Sequence, residues 1–193
     1  MPDHAELGPF DTGQATDLQS LLDKEAIRDL VHSYSRGVDR QDFAFLRTLY
    51  SDDAIEDDHG GAYSGSAEGY VDWLSNVMGR VENSSHMVHN HTIVLTGPDT
   101  AEGEVYVSGH SRLALEEGGK EDLTHGMRYL DHYTKRGRSW LFQRRTIIVD
   151  WLTASPSQWA PDRPDTRDAQ FGKPGPTDPS YRVLKHPYFA RRD

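Results

Sequence analysis

Three histidines fall within six residues at His86-Met87-Val88-His89-Asn90-His91, and an aspartate, Asp39, follows an apolar helical stretch at Gly37-Val38-Asp39. A carboxylate beside an imidazole holds the ring in one tautomer and stabilises its protonated form, which makes a general base at neutral pH. On a strand, alternate residues face opposite sides. His86, Val88 and Asn90 therefore share one face, and His89 and His91 the other. The His86 face, part apolar and part amide, suits a pocket wall. Imidazoles two apart on a strand can chelate a metal, but no further ligand for His89 and His91 is evident nearby. Their ordinary alternative is exposure on the outer sheet face. For His86 the alternative is a structural histidine, and for Asp39 a cap on the following helix.

Other side chains could join such a base. Tyr34, five residues before Asp39, carries a hydroxyl on an apolar body. His110 lies in the next strand pattern. The one after it places His125, Tyr129, Asp131 and Tyr133 on a common face. Arg144 and Arg145 are adjacent, so at most one of them enters the interior. Arg145 shares its face with Ile147, Val149 and Trp151, which read as buried. A buried arginine needs an anionic or polar partner. It is then either half of a structural ion pair or a binder of developing negative charge.

The elements that must position these groups follow from periodicity. Leu22, Ile27, Leu30, Val31, Tyr34 and Val38 recur at three- and four-residue steps and predict a first helix, with Gly37 at its end. Phe43–Tyr50 reads as a short second helix and Ala54–His59 as a strand that turns at Gly60-Gly61 into residues 62–64. Ser66 is the predicted N-cap of a third helix carrying Tyr70, Val71, Trp73, Leu74, Val77 and Met78. From about Ser85 the period changes to two. Four strands are expected, over His86–Leu95, Ala101–Leu115, Leu123–Lys135 and Trp140–Leu152, joined by short hairpins into an antiparallel meander. Helices first and a sheet afterwards define an α+β chain, and strands this long should curl around the helices. The expected organisation is a flexible N-terminal arm over 1–16, one α+β domain over 17–152, and a tail over 153–193. Seven of the ten prolines lie in that tail, yet it also carries Trp159, Phe171, Tyr181, Tyr188 and Phe189. So many aromatics predict a tail wrapped over its own domain or a neighbouring subunit.

Composition narrows the chemistry. The 193 residues contain no cysteine, which removes disulfides, thiolate nucleophiles and cysteine zinc sites. The net charge of −10 argues against binding a phosphate backbone, so no nucleic-acid partner is expected. No apolar run approaches the roughly 20 residues that span a bilayer, and no signal peptide is evident. A cytoplasmic address without membrane association is the simplest expectation. There is no glycine-rich phosphate loop, nucleophile elbow or HExxH motif. Acid–base chemistry by His, Asp, Tyr and Arg is what remains.

Three stretches carry a family resemblance: Ala26-Ile27-Arg28-Asp29-Leu30 through Tyr34 and Asp39, Leu49-Tyr50-Ser51-Asp52-Asp53-Ala54, and Trp140-Leu141-Phe142-Gln143-Arg144-Arg145. Together they resemble the SnoaL-like branch of the nuclear transport factor 2-like superfamily, over roughly Leu21 to Trp151. Within it the pattern is similar to the cofactorless lyases: scytalone dehydratase, hexachlorocyclohexane dehydrochlorinase and bile-acid 7α-dehydratase. The resemblance implies a cone-shaped α+β barrel, three helices packed on a curved antiparallel sheet. It also implies a His–Asp pair in the pocket, formed by His86 and Asp39. Asn90, four residues on, accompanies His86. Tyr34, His110 and Arg145 match further catalytic positions, and His59 falls near a position where scytalone dehydratase presents a tyrosine.

The expected function is a cofactor-independent lyase acting on a hydroxylated aromatic or polycyclic small molecule. Asp39, His86, Tyr34, Arg145 and His110 are its catalytic groups, and His59, Asn90, Tyr129 and Asp131 line the substrate. Elimination of water is the leading outcome. Deformylating C–C cleavage of a lignin-derived diarylpropane uses the same base. A non-catalytic binding module and a metal enzyme built on His89, His91 or His110 are the competing classes. A homodimer or homotrimer is expected, because Val105 and Val107 are placed on the outer sheet face and would need cover.

Overall fold

The computed structural model describes residues 17–192; the expected arm over 1–16 lies outside the described residues. Helix α1 runs over Leu18–Asp39, opened by Asp17, whose carboxylate accepts the Ser20 backbone N–H at 2.7 Å. Its apolar stripe of Ile27, Leu30, Val31, Tyr34 and Val38 is buried, whereas Leu22 is exposed at the first turns. The helix passes through Gly37 rather than ending there. A Cβ at Gly37 would lie 3.2 Å from Leu46 Cδ1, so the glycine serves the close approach of the next helix. That helix, α2, is only Phe43–Arg47, because Tyr50 already belongs to strand β1 (Tyr50–His59). A two-residue strand β2 (Gly65–Ser66) leads into α3 (Ala67–Val77), capped by Ser66 as expected. A 3-10 turn over Met78–Arg80 then delivers the chain to the sheet.

Strands β3 (Val81–Leu95), β4 (Thr100–Ala114), β5 (Lys120–Arg136) and β6 (Ser139–Pro156) form the antiparallel meander; β3, β5 and β6 run a few residues longer than periodicity implied at one end or both, and β4 keeps its expected length but sits one residue earlier. The sheet order is β2-β1-β6-β5-β4-β3. Strand β1 joins parallel to β6, with Ile55 opposite Arg144 and His59 opposite Ile147, and the sheet does not close on itself. Helices on the concave side of a curled six-stranded sheet give the expected α+β cone. Val105 and Val107 point into the core with Tyr129, Phe142 and Ile147 and are covered by the helices. Their placement on the outer face is thus corrected; Met87, Tyr106, Leu130, Val149, Trp151 and Leu152 are the exposed large apolar residues of these strands.

Two breaks in register matter for the site. In β3, Val88 pairs with Val107 and His91 with Val105, so His89 and Asn90 together oppose Tyr106. This β-bulge inserts one residue and reverses the alternation beyond it. In β6 the register shifts between Trp151 opposite Gly126 and Val149 opposite Met127. Only Ile147 of the three residues read as buried beside Arg145 is so; Val149 and Trp151 are 44% and 51% exposed.

After Pro156 the chain turns back over its own domain. Trp159 packs edge-on against Phe171 and lies under the Arg112 guanidinium. A short helix α4 (Pro179–Val183) and the residues after it cover the second half of α1. The Tyr188 hydroxyl hydrogen-bonds Ser33 at 2.6 Å, and Arg36 lies over the rings of Tyr181 and Phe189.

Candidate active site

Asp39 is the last residue of α1, and β3 crosses directly against that end of the helix. The Asp39 Oδ1 lies 2.7 Å from His86 Nδ1, and its Oδ2 accepts the His86 backbone N–H at 3.0 Å. Both side chains are 11% exposed. A carboxylate only accepts, so Nδ1 carries a proton, and in the neutral ring the lone pair is on Nε2. Burial raises the Asp39 pKa, but the hydrogen bond and charge of His86 outweigh it and hold the carboxyl below the usual range. Asp39 is therefore ionised at neutral pH and stabilises an imidazolium at His86.

A cavity of about 390 Å³ opens beside the pair, lined by Ser35 and Arg36 of α1, Val88 of β3, and Asp178 and Ser180 of the tail. Arg40 donates to Asp178 at 2.7 Å, and that carboxylate also accepts the backbone N–H groups of Lys173 and Ser180. Burial opposes ionisation of Asp178, yet these donors hold its pKa down to about 2. The tail is thus fastened to the end of α1 by an ion pair that persists across the physiological range.

The structure does not bring His110 to this cavity. Pairing sets His86 opposite Gly109, and Gly109 opposite His125, on the concave face; His110 opposes Ser85 and Thr124 on the other. There it faces Asp122 at 3.4 Å, in a separate cleft with Arg112, Trp159 and Phe171. The imidazole beside the pair is His125, with ring centroids 5.9 Å from His86. It reaches that position because residue 109 is glycine: a Cβ there would collide with the His125 ring. Its Nε2 is buried without a partner among the described residues. Sequence reasoning placed His125 on the correct face but gave it no role. The signal was the glycine on the neighbouring strand.

The bulge in β3 corrects two further readings. Asn90 points outward and is exposed, so it does not line the cavity with His86. His91 turns inward, 3.1 Å from the Tyr133 hydroxyl, while His89 bonds Ser108 on the outer face. A chelating His89/His91 pair is therefore not formed. Among the described residues no group of three or more His, Asp or Glu side chains gathers as a metal site.

Arg145 is fully buried and forks onto Asp131, Nε to Oδ1 at 2.7 Å and Nη2 to Oδ2 at 2.8 Å. Its guanidinium lies over the rings of Tyr34, Tyr129 and Phe142 at 4.1, 4.4 and 4.1 Å. The Tyr133 hydroxyl donates to Asp131 at 2.8 Å. Of the two readings of this arginine, the structural ion pair is the one formed. Tyr129 and Asp131 belong to it and do not line the cavity. Tyr34 shares a 2.6 Å hydrogen bond with Tyr70, and burial, partly offset by Arg145, pushes its hydroxyl up to about 12. His59 packs tilted against Tyr70 and edge-on against Trp73, 3.7 Å from the buried Glu56 carboxylate, which accepts from Tyr50. A polar core of tyrosines thus underlies the Asp39–His86 pair, and none of it lines the cavity.

Burial holds both His91 and His125 down to about 4, with the His86 and His110 charges adding to the effect at His125. In the unfolded chain each titrates near 6.5. Between these values the unfolded chain binds more protons, so the stability they contribute is full above about pH 6.5 and lost toward pH 4. The melting temperature should therefore fall as pH drops from 7 to about 5.5, above the range in which ordinary carboxylates titrate, and fall less steeply in His91→Gln. An unchanged slope in that variant would contradict the assignment.

A model of the SnoaL-like domain matches residues 19–146, and the chain belongs to that family. Hexachlorocyclohexane dehydrochlorinase type 2 superposes with a TM-score of 0.67 at 23% identity, covering 76% of this chain and 99% of that one. The type 3 enzyme from Novosphingobium barchaimii gives 0.64 at 24% identity, covering 75% and 97%. A Novosphingobium aromaticivorans protein with the provisional name scytalone dehydratase gives 0.63 at 21% identity, covering 73% and 97%. At these identities the likeness establishes the shared fold.

Proposed function

We propose that the protein is a lyase that removes a proton from a hydroxylated aromatic or polycyclic small molecule through His86 and expels water. The observation that carries this reading is the 2.7 Å Asp39–His86 pair at the edge of a cavity. His86 Nε2 takes a proton from carbon, and Asp39 stabilises the imidazolium that results. The C–H electron pair forms the new double bond as the C–O bond breaks. The His86 proton leaves with the departing hydroxyl as water, so the pair returns to its starting state. The sum is redox-neutral and needs no electron carrier. His125 takes the assisting place first given to His110, as a neutral imidazole packed beside the His86 ring. Arg145 and Tyr34 support the site from within the core. The names borne by the structural neighbours, two dehydrochlorinases and a dehydratase, are consistent with elimination chemistry.

The test is a panel of hydroxylated mono- and diaryl compounds incubated with purified protein and no added cofactor. Products are followed by mass spectrometry. Loss of 18 mass units that disappears in His86→Ala supports the proposal. Release of formaldehyde instead assigns the same base to C–C cleavage. Turnover that is unchanged in His86→Ala rejects both.

A further inference from the structure

The cavity beside His86 holds an arginine without an acid. Arg40 is paired with Asp178 at 2.7 Å, and Asp39 with His86 at 2.7 Å. The Asp178 oxygens are already occupied by Arg40 and two backbone N–H groups. Arg36 lines the same cavity, and no carboxylate lies within ion-pairing distance of it among the described residues. Its nearest acceptors are neutral and distant, Ser180 Oγ at 3.5 Å and the Phe189 carbonyl at 3.4 Å. In a chain of net charge −10, many arginines are matched to acids, among them Arg40, Arg112, Arg128, Arg144 and Arg145. An arginine left unmatched at a cavity wall is ready for an anion from outside.

Its setting favours a planar one. The tail rings of Tyr181 and Phe189 lie 5.4 and 5.2 Å from the guanidinium carbon. Such packing fixes the plane of the group. A guanidinium held in plane offers two parallel N–H donors to a carboxylate, a match that lysine does not reproduce. Arg36 lies three residues before Asp39, about 4.5 Å along the helix axis. A carboxylate held there would leave the rest of a ring compound extended toward His86 and Val88.

We infer that the substrate is an aromatic carboxylic acid, bound through its carboxylate to Arg36, with its reacting carbon presented to His86. This rests on the reading of the cavity as the substrate site, but not on the reaction carried out there. Arg36 is then the residue that selects acids over their neutral analogues.

The test separates the two. Binding of 6-hydroxy-2-naphthoate and of its methyl ester is measured by calorimetry on wild type, Arg36→Met, Arg36→Lys and His86→Gln, each checked for native circular dichroism and melting. Wild type should bind the acid about 10-fold or more tightly than the ester. Arg36→Met should abolish that preference, Arg36→Lys should keep part of it, and His86→Gln should keep it all. Equal affinity for acid and ester, no binding of either at millimolar concentration, or a preference that survives Arg36→Met overturns the inference. Because no turnover is read, its failure is distinct from failure of the lyase proposal.

Discussion

Replacing His86 by alanine is expected to lower turnover about 100- to 10,000-fold, the range that a positioned general base contributes. The fold should persist, because His86 is partly open at a cavity edge and the apolar core forms without it. Asp39→Asn is the sharper variant. It keeps the shape of the side chain, but an amide turned to donate its N–H to Nδ1 would move the ring proton to Nε2, the nitrogen that must accept from substrate. A comparable loss in kcat, with KM little changed, is the expected result. Retention of near wild-type kcat in Asp39→Asn would mean that the carboxylate serves only to hold the His86 backbone and ring in place.

The second large effect is on stability. Asp131→Ala leaves the Arg145 guanidinium buried among Tyr34, Tyr129 and Phe142 without its counter-charge. Removing one partner of such a pair costs about 3–5 kcal/mol, a large part of the roughly 5–15 kcal/mol that keeps a domain folded. Urea titration should show a lower midpoint with an unchanged slope. The double variant Asp131→Leu/Arg145→Met, apolar and of similar volume, should recover most of the loss, since the penalty lies in the unpaired charge. If Asp131→Ala alone melted within a degree or two of wild type, the pair would not be the core element described.

Much of this was legible in the chain. The spacing of Ile27, Val31, Tyr34 and Val38 placed one helix face in the core, and the change of period near Ser85 marked the start of the sheet. The hairpin residues fixed an antiparallel meander, and parity with apolar neighbours, of which only Ile147 is buried, turned Arg145 inward. The Asp39–His86 pair came from residue chemistry and family resemblance together. Other features depended on tertiary register. The bulge at His89 and Asn90 has no local marker such as glycine, so alternation carried past it turned Asn90 inward and His91 outward, the reverse of what is found. Val105 and Val107 were assigned to the wrong face because parity gives two faces without saying which one the helices cover. His125 needed the pairing of Gly109 with its own strand to become a neighbour of His86. The parallel joining of β1 to β6 left no trace in composition or spacing.

That parallel seam also orders the birth of the molecule. Ile55 meets its partner Arg144 only after the intervening strands exist, so α1 and β1 leave the ribosome with no sheet to lie on. At synthesis rates of about 5–20 residues per second, the wait is roughly 5–20 s. The apolar stripe of α1 spends that interval uncovered, and the residues that fasten the tail across it are made later still. The pocket can assemble only once the chain has passed Ser180, which lines it, and truncations that stop short of β6 should be captured by chaperones or aggregate.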